Sequence, residues 1–305
     1  MADASGAYAE YETASASGSD PAVLLALSKS GDGAFTGRAG APNNYGGIYG
    51  GRLIGEALRA AVLSCDALPL TSFHAYFLAS GRSDEPILYA VETLRDSRRF
   101  ANRQVMARQG TRTIFTLMCE FHEAEPGFVH QQPVMPDVPA PESLPPLQDY
   151  VRSNAATLDP AIVRNFSAAL PVEMRVVAPE AYLLRRGPAR RAFWFRVSDA
   201  AGVDDLREQQ CLLAYASDYW LAGVGAIPHL VPTNGPALLI SSLDHAMWFH
   251  HPARCDEWLL YDTDSPAAGG GLGLAMGRIF DRAGRLIAST AQEALLRPLH
   301  EAMES

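Results

Sequence analysis

The feature that most constrains this chain is that its second half repeats its first. His74-Ala-Tyr-Phe is echoed by His245-Ala-Met-Trp, and Ile87-Leu-Tyr by Leu259-Leu-Tyr. Tyr89 precedes Glu120 by the same interval that separates Tyr261 from Gln292. Each half also reads as one helix followed by strands. In the first half, glycines crowd residues 46–55, and a mostly apolar helical stretch follows at 56–64. Its Ala57, Ala60 and Ala61 let a helix lie close to a sheet. Strand-like runs come at 71–78, 87–94, 100–107 and 113–122. In the second half, strands are expected at 174–178 and 192–197 and a helix at 205–217, where Asp205 and Glu208 suit a capping box. Further strands are expected at 237–241, 246–250, 258–263, 272–280 and 286–296. A duplicated unit of helix plus curled antiparallel sheet gives an α+β fold with each helix on the concave face of its sheet.

Residues 1–20 are rich in Ala, Ser and Gly and are expected not to pack. Order is expected from Asp20-Pro21, with a helix over 22–28. Seven prolines lie between Glu123 and Tyr150, so 123–165 reads as an extended linker crossing the surface. It separates a first unit, 21–122, from a second, 166–305.

Composition removes several functions. With 305 residues, 48% hydrophobic and 19% charged, the chain can bury a substantial core. A net charge of −9 argues against general nucleic-acid binding. Lys29 is the only lysine, which removes Schiff-base and P-loop chemistry. Cys65, Cys119, Cys211 and Cys255 form no C-x-x-C pair, so neither a metal site nor a disulfide framework is expected. Isolated thiols suit a reducing compartment. No apolar run reaches a membrane span. A soluble, cytoplasmic protein is expected.

Candidate chemistry lies mainly in the second half. Asp218 follows the apolar run 211–216 and precedes Tyr219 and Trp220. A carboxylate among aromatics loses hydration and becomes a stronger base, although it can equally close a helix. Alternation places Gln292 on a mostly apolar strand face, where a neutral amide needs a partner. Ser242 opens a strand just before Leu243-Asp244-His245. Strand neighbours point to opposite faces, so Asp244 and His245 are not expected to meet. His74, His245 and His250 read as structural, bonding a strand to the linker or to the other half. No G-x-S-x-G elbow is present.

Several stretches resemble the acyl-CoA thioesterase II family, a double hotdog fold. They are Gly50-Gly-Arg-Leu-Ile-Gly-Glu-Ala-Leu58, Ser72-Phe-His-Ala-Tyr-Phe-Leu78, Val91-Glu-Thr-Leu-Arg-Asp96 and Gly127-Phe-Val-His-Gln131. In the second half they are Leu213-Ala-Tyr-Ala-Ser-Asp218, Leu243-Asp-His-Ala-Met-Trp-Phe-His250, Trp258-Leu-Leu-Tyr261 and Ala288-Ser-Thr-Ala-Gln-Glu293. The resemblance implies two hotdogs sharing one continuous sheet and hydrolysis of a thioester to an acid and a thiol. It implies no metal, no cofactor and no covalent nucleophile. Asp218, Ser242 and Gln292 match the residues that hold the attacking water. Glu120 is the expected first-half counterpart of Gln292, which gives one working site per chain. The partner implied is acyl-CoA or another acyl thioester, with no nucleic acid and no membrane, and homo-oligomers are expected.

The oxyanion is expected at backbone N–H groups near Gly50 and Gly51. The chain departs from the family pattern at Arg52 and Glu56, at Ala79-Ser80, and at 272–277, where the usual arginines are absent. Arg95, Arg98, Arg99 and Arg103 remain as candidate phosphate contacts. The acyl group could then ride on coenzyme A or on a carrier protein. Two alternatives stay open: a hotdog hydratase or dehydratase, which requires an Asp–His pair not found in the sequence, and a degenerate hotdog that binds acyl ligands without turnover.

Overall fold

The computed structural model describes residues 24–40, 47–65, 68–158, 160–167, 170–180, 187–229 and 238–298. The N-terminal segment read as unpacked lies outside them. Most strands join one antiparallel sheet in the order β1-β2-β4-β5-β6-β3-β10-β13-β12-β11-β8-β7. In the first half these are β1 (Leu27–Gly31), β2 (Ala34–Gly37), β3 (Leu70–Phe77), β4 (Ile87–Asp96), β5 (Phe100–Gln109) and β6 (Arg112–His122). In the second they are β7 (Glu173–Val176), β8 (Arg190–Arg196), β10 (Asp244–Phe249), β11 (Leu259–Gly269), β12 (Leu272–Phe280) and β13 (Leu286–Pro298). β9 (Leu238–Ser242) pairs with the far end of β13. The seam between the halves is β3 on β10, with His74 opposite Ala246 and Ala75 opposite His245. The expected shared sheet is therefore formed, because the repeated His-Ala strands pair with each other.

Each half wraps its helix. α1 (Gly50–Leu63) lies against the first sheet. α4 (Leu206–Ser217) lies in the second half, and the two helices pack on each other. Almost every residue of α1 from Gly51 to Val62 is buried. The helix begins six residues before the stretch read as helical, inside the glycine-rich segment. Close approach is what those glycines serve. A Cβ on Gly51 would stand 2.3 Å from the Tyr215 carbonyl oxygen and 2.6 Å from the Tyr49 ring. One on Gly55 would stand 2.7 Å from Leu25. Arg59 of α1 reaches Glu208 of α4 at 3.0 Å. Glu208 thus ties the helices together, and the capping box reduces to Asp205 alone, which accepts from the Arg207 N–H at 2.8 Å.

One expectation at the N-terminal end is corrected. The helix read over 22–28 reaches only Leu24 in its described part, because Leu27 and Ser28 belong to β1. That strand pairs with β2 through a turn at Asp32-Gly33, with Gly33 at φ 62°. An Asp-Gly pair between short strands is a hairpin signal that outweighs weak helix propensity.

The Pro-rich segment is part strap and part helix. From Glu123 to Ala140 it has no helix or strand and runs along the second half. There the Trp194 indole donates to the Pro139 carbonyl at 2.9 Å, and Met135, Val138 and Leu144 cover Trp194, Trp258 and Phe280. Then come two short helices, α2 (Leu147–Ser153) and α3 (Pro160–Phe166), which place Leu147, Val151, Ile162 and Phe166 in the main core. The extended linker read between Glu123 and Tyr150 is thus irregular as far as Ala140 and is corrected beyond it, where helical turns begin. Proline is tolerated at helix starts, and the apolar residues between the prolines gain more by burial than by exposure.

The Gly51 contact yields a stability test. Gly51→Ala is expected to lower stability by about 2–3 kcal/mol, the usual cost of overpacking, and thermal unfolding reads this as a drop in Tm.

Candidate active site

α4 runs head to tail with α1. Asp218 caps the C-terminal end of α4 and Gly50 opens the N-terminal end of α1. The two meet: a Cβ on Gly50 would lie 2.7 Å from Asp218 Oδ2. A helix N-terminus carries partial positive charge, so it is a suitable neighbour for a buried carboxylate. α4 stops there because the chain turns left-handed at Trp220, with φ 65°, a conformation that costs a non-glycine residue. The Trp220 ring holds that turn by packing edge-on against Phe166 and Phe193 at 5.5 and 5.3 Å between centroids.

The three residues anticipated as catalytic come together. Gln292, from β13, is fully buried. Its Nε2 donates to Asp218 Oδ1 at 2.8 Å and to Ser242 Oγ at 2.8 Å. Ser242 closes β9 and sits opposite Ala294 on β13, so it reaches Gln292 through local register, whereas Asp218 arrives from the end of α4. Asp218 is 4% exposed. Burial pushes its carboxyl up to about 6, opposed by the Gln292 amide and the Gly51 backbone N–H. Gly50, Phe77 and Ser242 are only partly buried and form the side of the site that leaves the interior. Among the described residues, no three His, Cys, Asp or Glu side chains converge to hold a metal ion.

Sequence reasoning missed one neighbour. His245 is fully buried, with Nδ1 3.8 Å from Asp218 Oδ1 and Nε2 3.0 Å from Ser217 Oγ. Its ring stacks on Phe73 at 5.7 Å. The reading that no Asp–His pair exists is therefore corrected, although the pair is Asp218–His245 rather than the adjacent Asp244–His245. Asp244 instead accepts from the Glu293 N–H at 2.7 Å. Burial holds His245 neutral, pushed down to about 3. The signal was strand alternation: His245 and Gln292 each face inward among apolar neighbours.

Gly51 is placed differently from the role expected of it, since its amide is turned to Asp218. The arginines are not brought to the site. Arg95, Arg98 and Arg99 are exposed, with Arg95 over the Phe100 ring and Arg99 paired with Glu125 at 2.9 Å. Arg103 is buried at the opposite end of α1, about 20 Å from Gly50 along a 14-residue helix. Its guanidinium donates to Ser64 Oγ and the Ser64 carbonyl and pairs with Asp96 at 2.7 Å.

That end of α1 is the first half's counterpart of the site. With Tyr89 set against Tyr261, the strand registers align Phe73 with His245, Cys119 with Gln292 and Arg103 with Ala275. α1 ends on Ser64 where α4 ends on Asp218. The carboxylate and the amide are absent, and Arg103 fills the space. Glu120, the expected twin of Gln292, points to the other face, between buried Cys119 and Phe121. The second half holds one extra residue between β11 and β13, and a one-residue shift reverses the facing of every side chain beyond it.

Comparison with known proteins agrees with this geometry. Residues 40–122 match the family model described as the acyl-CoA thioesterase N-terminal domain, and residues 136–296 the model described as the acyl-CoA thioesterase C-terminal domain. The chain belongs to the acyl-CoA thioesterase family. It is 37% identical over 252 residues to acyl-CoA thioesterase 2 of Haemophilus influenzae, covering 82% of this chain and 87% of that protein. It is 34% identical over 268 residues to human acyl-coenzyme A thioesterase 8, covering 85% and 83%. The crystal structure of the acyl-CoA thioesterase II TesB2 from Mycobacterium marinum superposes with a TM-score of 0.74 at 34% identity, covering 91% of this chain and 98% of that one.

The buried carboxylate sets a pH dependence of stability. Because the folded value of Asp218, about 6, lies above the 3.8 of an exposed aspartate, the protonated form stabilises the fold below about pH 3.8. That contribution is lost as pH rises through about 6. Above pH 7, Asp218→Asn is therefore expected to stabilise the protein by up to about 3 kcal/mol, the equivalent of roughly two pKa units. The gain should shrink towards pH 4 in denaturant titrations.

Proposed function

We propose that this member of the acyl-CoA thioesterase family hydrolyses an acyl-CoA thioester through a water held by Asp218, Ser242 and Gln292. The observation that carries the reading is the Gln292 amide joining a buried carboxylate to a hydroxyl at 2.8 Å each. Asp218, raised to about 6, is ionised at neutral pH yet basic enough to take a proton from water. Ser242 Oγ orients that water, and the Gln292 amide, whose two hydrogens go to Asp218 and Ser242, fixes both around it. The water oxygen attacks the thioester carbonyl while its proton passes to Asp218. The tetrahedral oxyanion then collapses, the carbon–sulfur bond breaks, and the thiolate leaves with that proton as a thiol. The orphan amides opening α1 at Gly50 stabilise the oxyanion.

The fold supports one such site per chain, because Arg103 fills the other. Arg95, Arg98 and Arg99 are exposed and Arg103 is buried at the far end of α1, so this chain's hold on the coenzyme A phosphates does not rest on them. Hydration chemistry would need His245 to face the substrate. It is instead fully buried behind Asp218 and resists protonation. Pairing of copies is a further part of the proposal, supported by exposed Tyr76, Met118 and Trp248 on the outer face of the central strands. Light scattering of the purified protein is expected to give more than one chain per particle.

Incubation with a panel of acyl-CoAs, reading thiol release, tests the central claim. Asp218→Asn is expected to lower kcat by about 10²–10⁴-fold, the usual worth of a general base, with the protein still folded. Ser242→Ala should lose less, and Ser242→Thr, which keeps the hydroxyl, should stay active. Wild-type activity is expected to fall below about pH 6, following Asp218. Undiminished thiol release from Asp218→Asn would overturn the assignment.

A further inference from the structure

Two buried polar atoms at the site lack a hydrogen-bond partner among the described residues: His245 Nδ1 and Gln292 Oε1. Both belong to side chains that approach Asp218 Oδ1, His245 at 3.8 Å and Gln292 at 2.8 Å. A buried carbonyl oxygen without a donor is costly, and the same holds for an imidazole nitrogen. Each has what the other lacks, provided the imidazole proton sits on Nδ1. We propose, resting on the hydrolytic reading above, that His245 is a positioning residue. Its Nδ1–H holds the Gln292 carbonyl oxygen and so keeps the Gln292 amide nitrogen turned to Asp218 and Ser242.

The orientation of Gln292 is the point at issue. An amide can be turned over with almost no change of shape. Turned over, Gln292 would set its oxygen 2.8 Å from the Asp218 carboxylate, acceptor against acceptor, and Ser242 would lose its donor. A donor on the Oε1 side adds to that discrimination and holds the amide in place. The tautomer follows from the surroundings. Ser217 Oγ lies 2.8 Å from the Ala214 carbonyl and 3.0 Å from His245 Nε2. If Nε2 carried the proton, the Nδ1 lone pair would face an ionised carboxylate and a carbonyl in a dry interior. With the proton on Nδ1, the Ser217 hydroxyl gives its one hydrogen to Nε2 in place of the Ala214 carbonyl, and the Gln292 carbonyl oxygen gains the donor it lacks. Among the described residues, the ionisable groups facing Asp218 are His245 from β10 and Tyr261 from β11. Burial keeps the Tyr261 phenol protonated, donating at 2.8 Å to the Ser217 carbonyl. Gln292 is the group that opposes the loss of the His245 proton.

The first half supplies a ready control. At the register position of His245 it carries Phe73, in a half that lacks the amide. An aromatic ring without nitrogen therefore fits that place in the fold. His245→Phe should fold, and it should lose the donor and leave Gln292 free to turn over. His245→Asn places an amide N–H where Nδ1–H stood and should rescue.

The experiment has two arms on the full-length protein. In the first, ¹⁵N-labelled wild type is read by NMR between pH 6 and 9. The Nδ1–H tautomer of His245 is expected throughout, and an Nε2–H tautomer overturns the proposal. This arm needs no turnover and no variant, so it stands even if the hydrolytic reading fails or His245→Phe misfolds. In the second, thiol release is followed against pH. His245→Phe is expected to lose at least about 30-fold in kcat with KM within about twofold. Its acid limb should move up by at least about half a pH unit, because Asp218 loses the Gln292 donor that lowers it. His245→Asn should recover most of both. Equal losses in the two variants with an unmoved acid limb would make His245 a packing residue only.

Discussion

The antiparallel contact of α1 with α4 is the constraint on which the rest of the structure depends. It brings the end of one helix against the start of the other, so a carboxylate at the end of α4 meets the electropositive opening of α1. Small residues permit this closeness. Gly51 lies where any side chain would strike the Tyr215 carbonyl, and Gly55 lies against Leu25 and Tyr215. Without that approach Asp218 would sit in a wet groove with an ordinary acidity. With it, the carboxylate is buried, costs the fold stability and becomes a base suited to neutral pH.

Pseudosymmetry puts the same helix contact at both ends of the pair, yet the two ends have diverged in chemistry. At the Asp218 end, polar side chains from β9, β10 and β13 converge. At the Ser64 end, Arg103 spans the gap with a bond to the helix terminus and an ion pair to Asp96. A guanidinium there satisfies the orphan carbonyl of α1 and excludes a ligand by volume. The second half carries the proposed site, and the first supplies the glycines and the seam strand β3 beside it.

The Pro-rich segment completes the second half in another way. Its strap covers a tryptophan-rich outer face, where Arg175 and Arg196 lie 4.9 and 4.5 Å from the Trp258 ring centroid. Its two short helices add apolar side chains to the main core. The connection between the repeats is thus a packed element, which leaves the halves little freedom to separate.

Much of this was legible in the sequence. The repeat of His-Ala and Leu-Tyr strands pointed to a duplicated antiparallel fold, because similar strands in the same order build similar units, although the register sets Phe73 rather than His74 in the place of His245. The family pattern named Asp218, Ser242 and Gln292, which the fold gathers around one amide. What sequence reading could not supply was facing and proximity. Glu120 matched Gln292 by interval but faces the other way, since one added residue reverses a strand. Arg103 looked like a free cation until its burial beside Ser64 was seen. The start of β1 at Leu27-Ser28 was misread as the end of a helix, because local propensity is weak beside strand pairing. His245 was set aside because its sequence neighbour, Asp244, points away; its real partner comes from the end of α4, 27 residues earlier. Period and composition belong to the chain itself, whereas the partner of a buried proton is decided by which elements the folded core brings together.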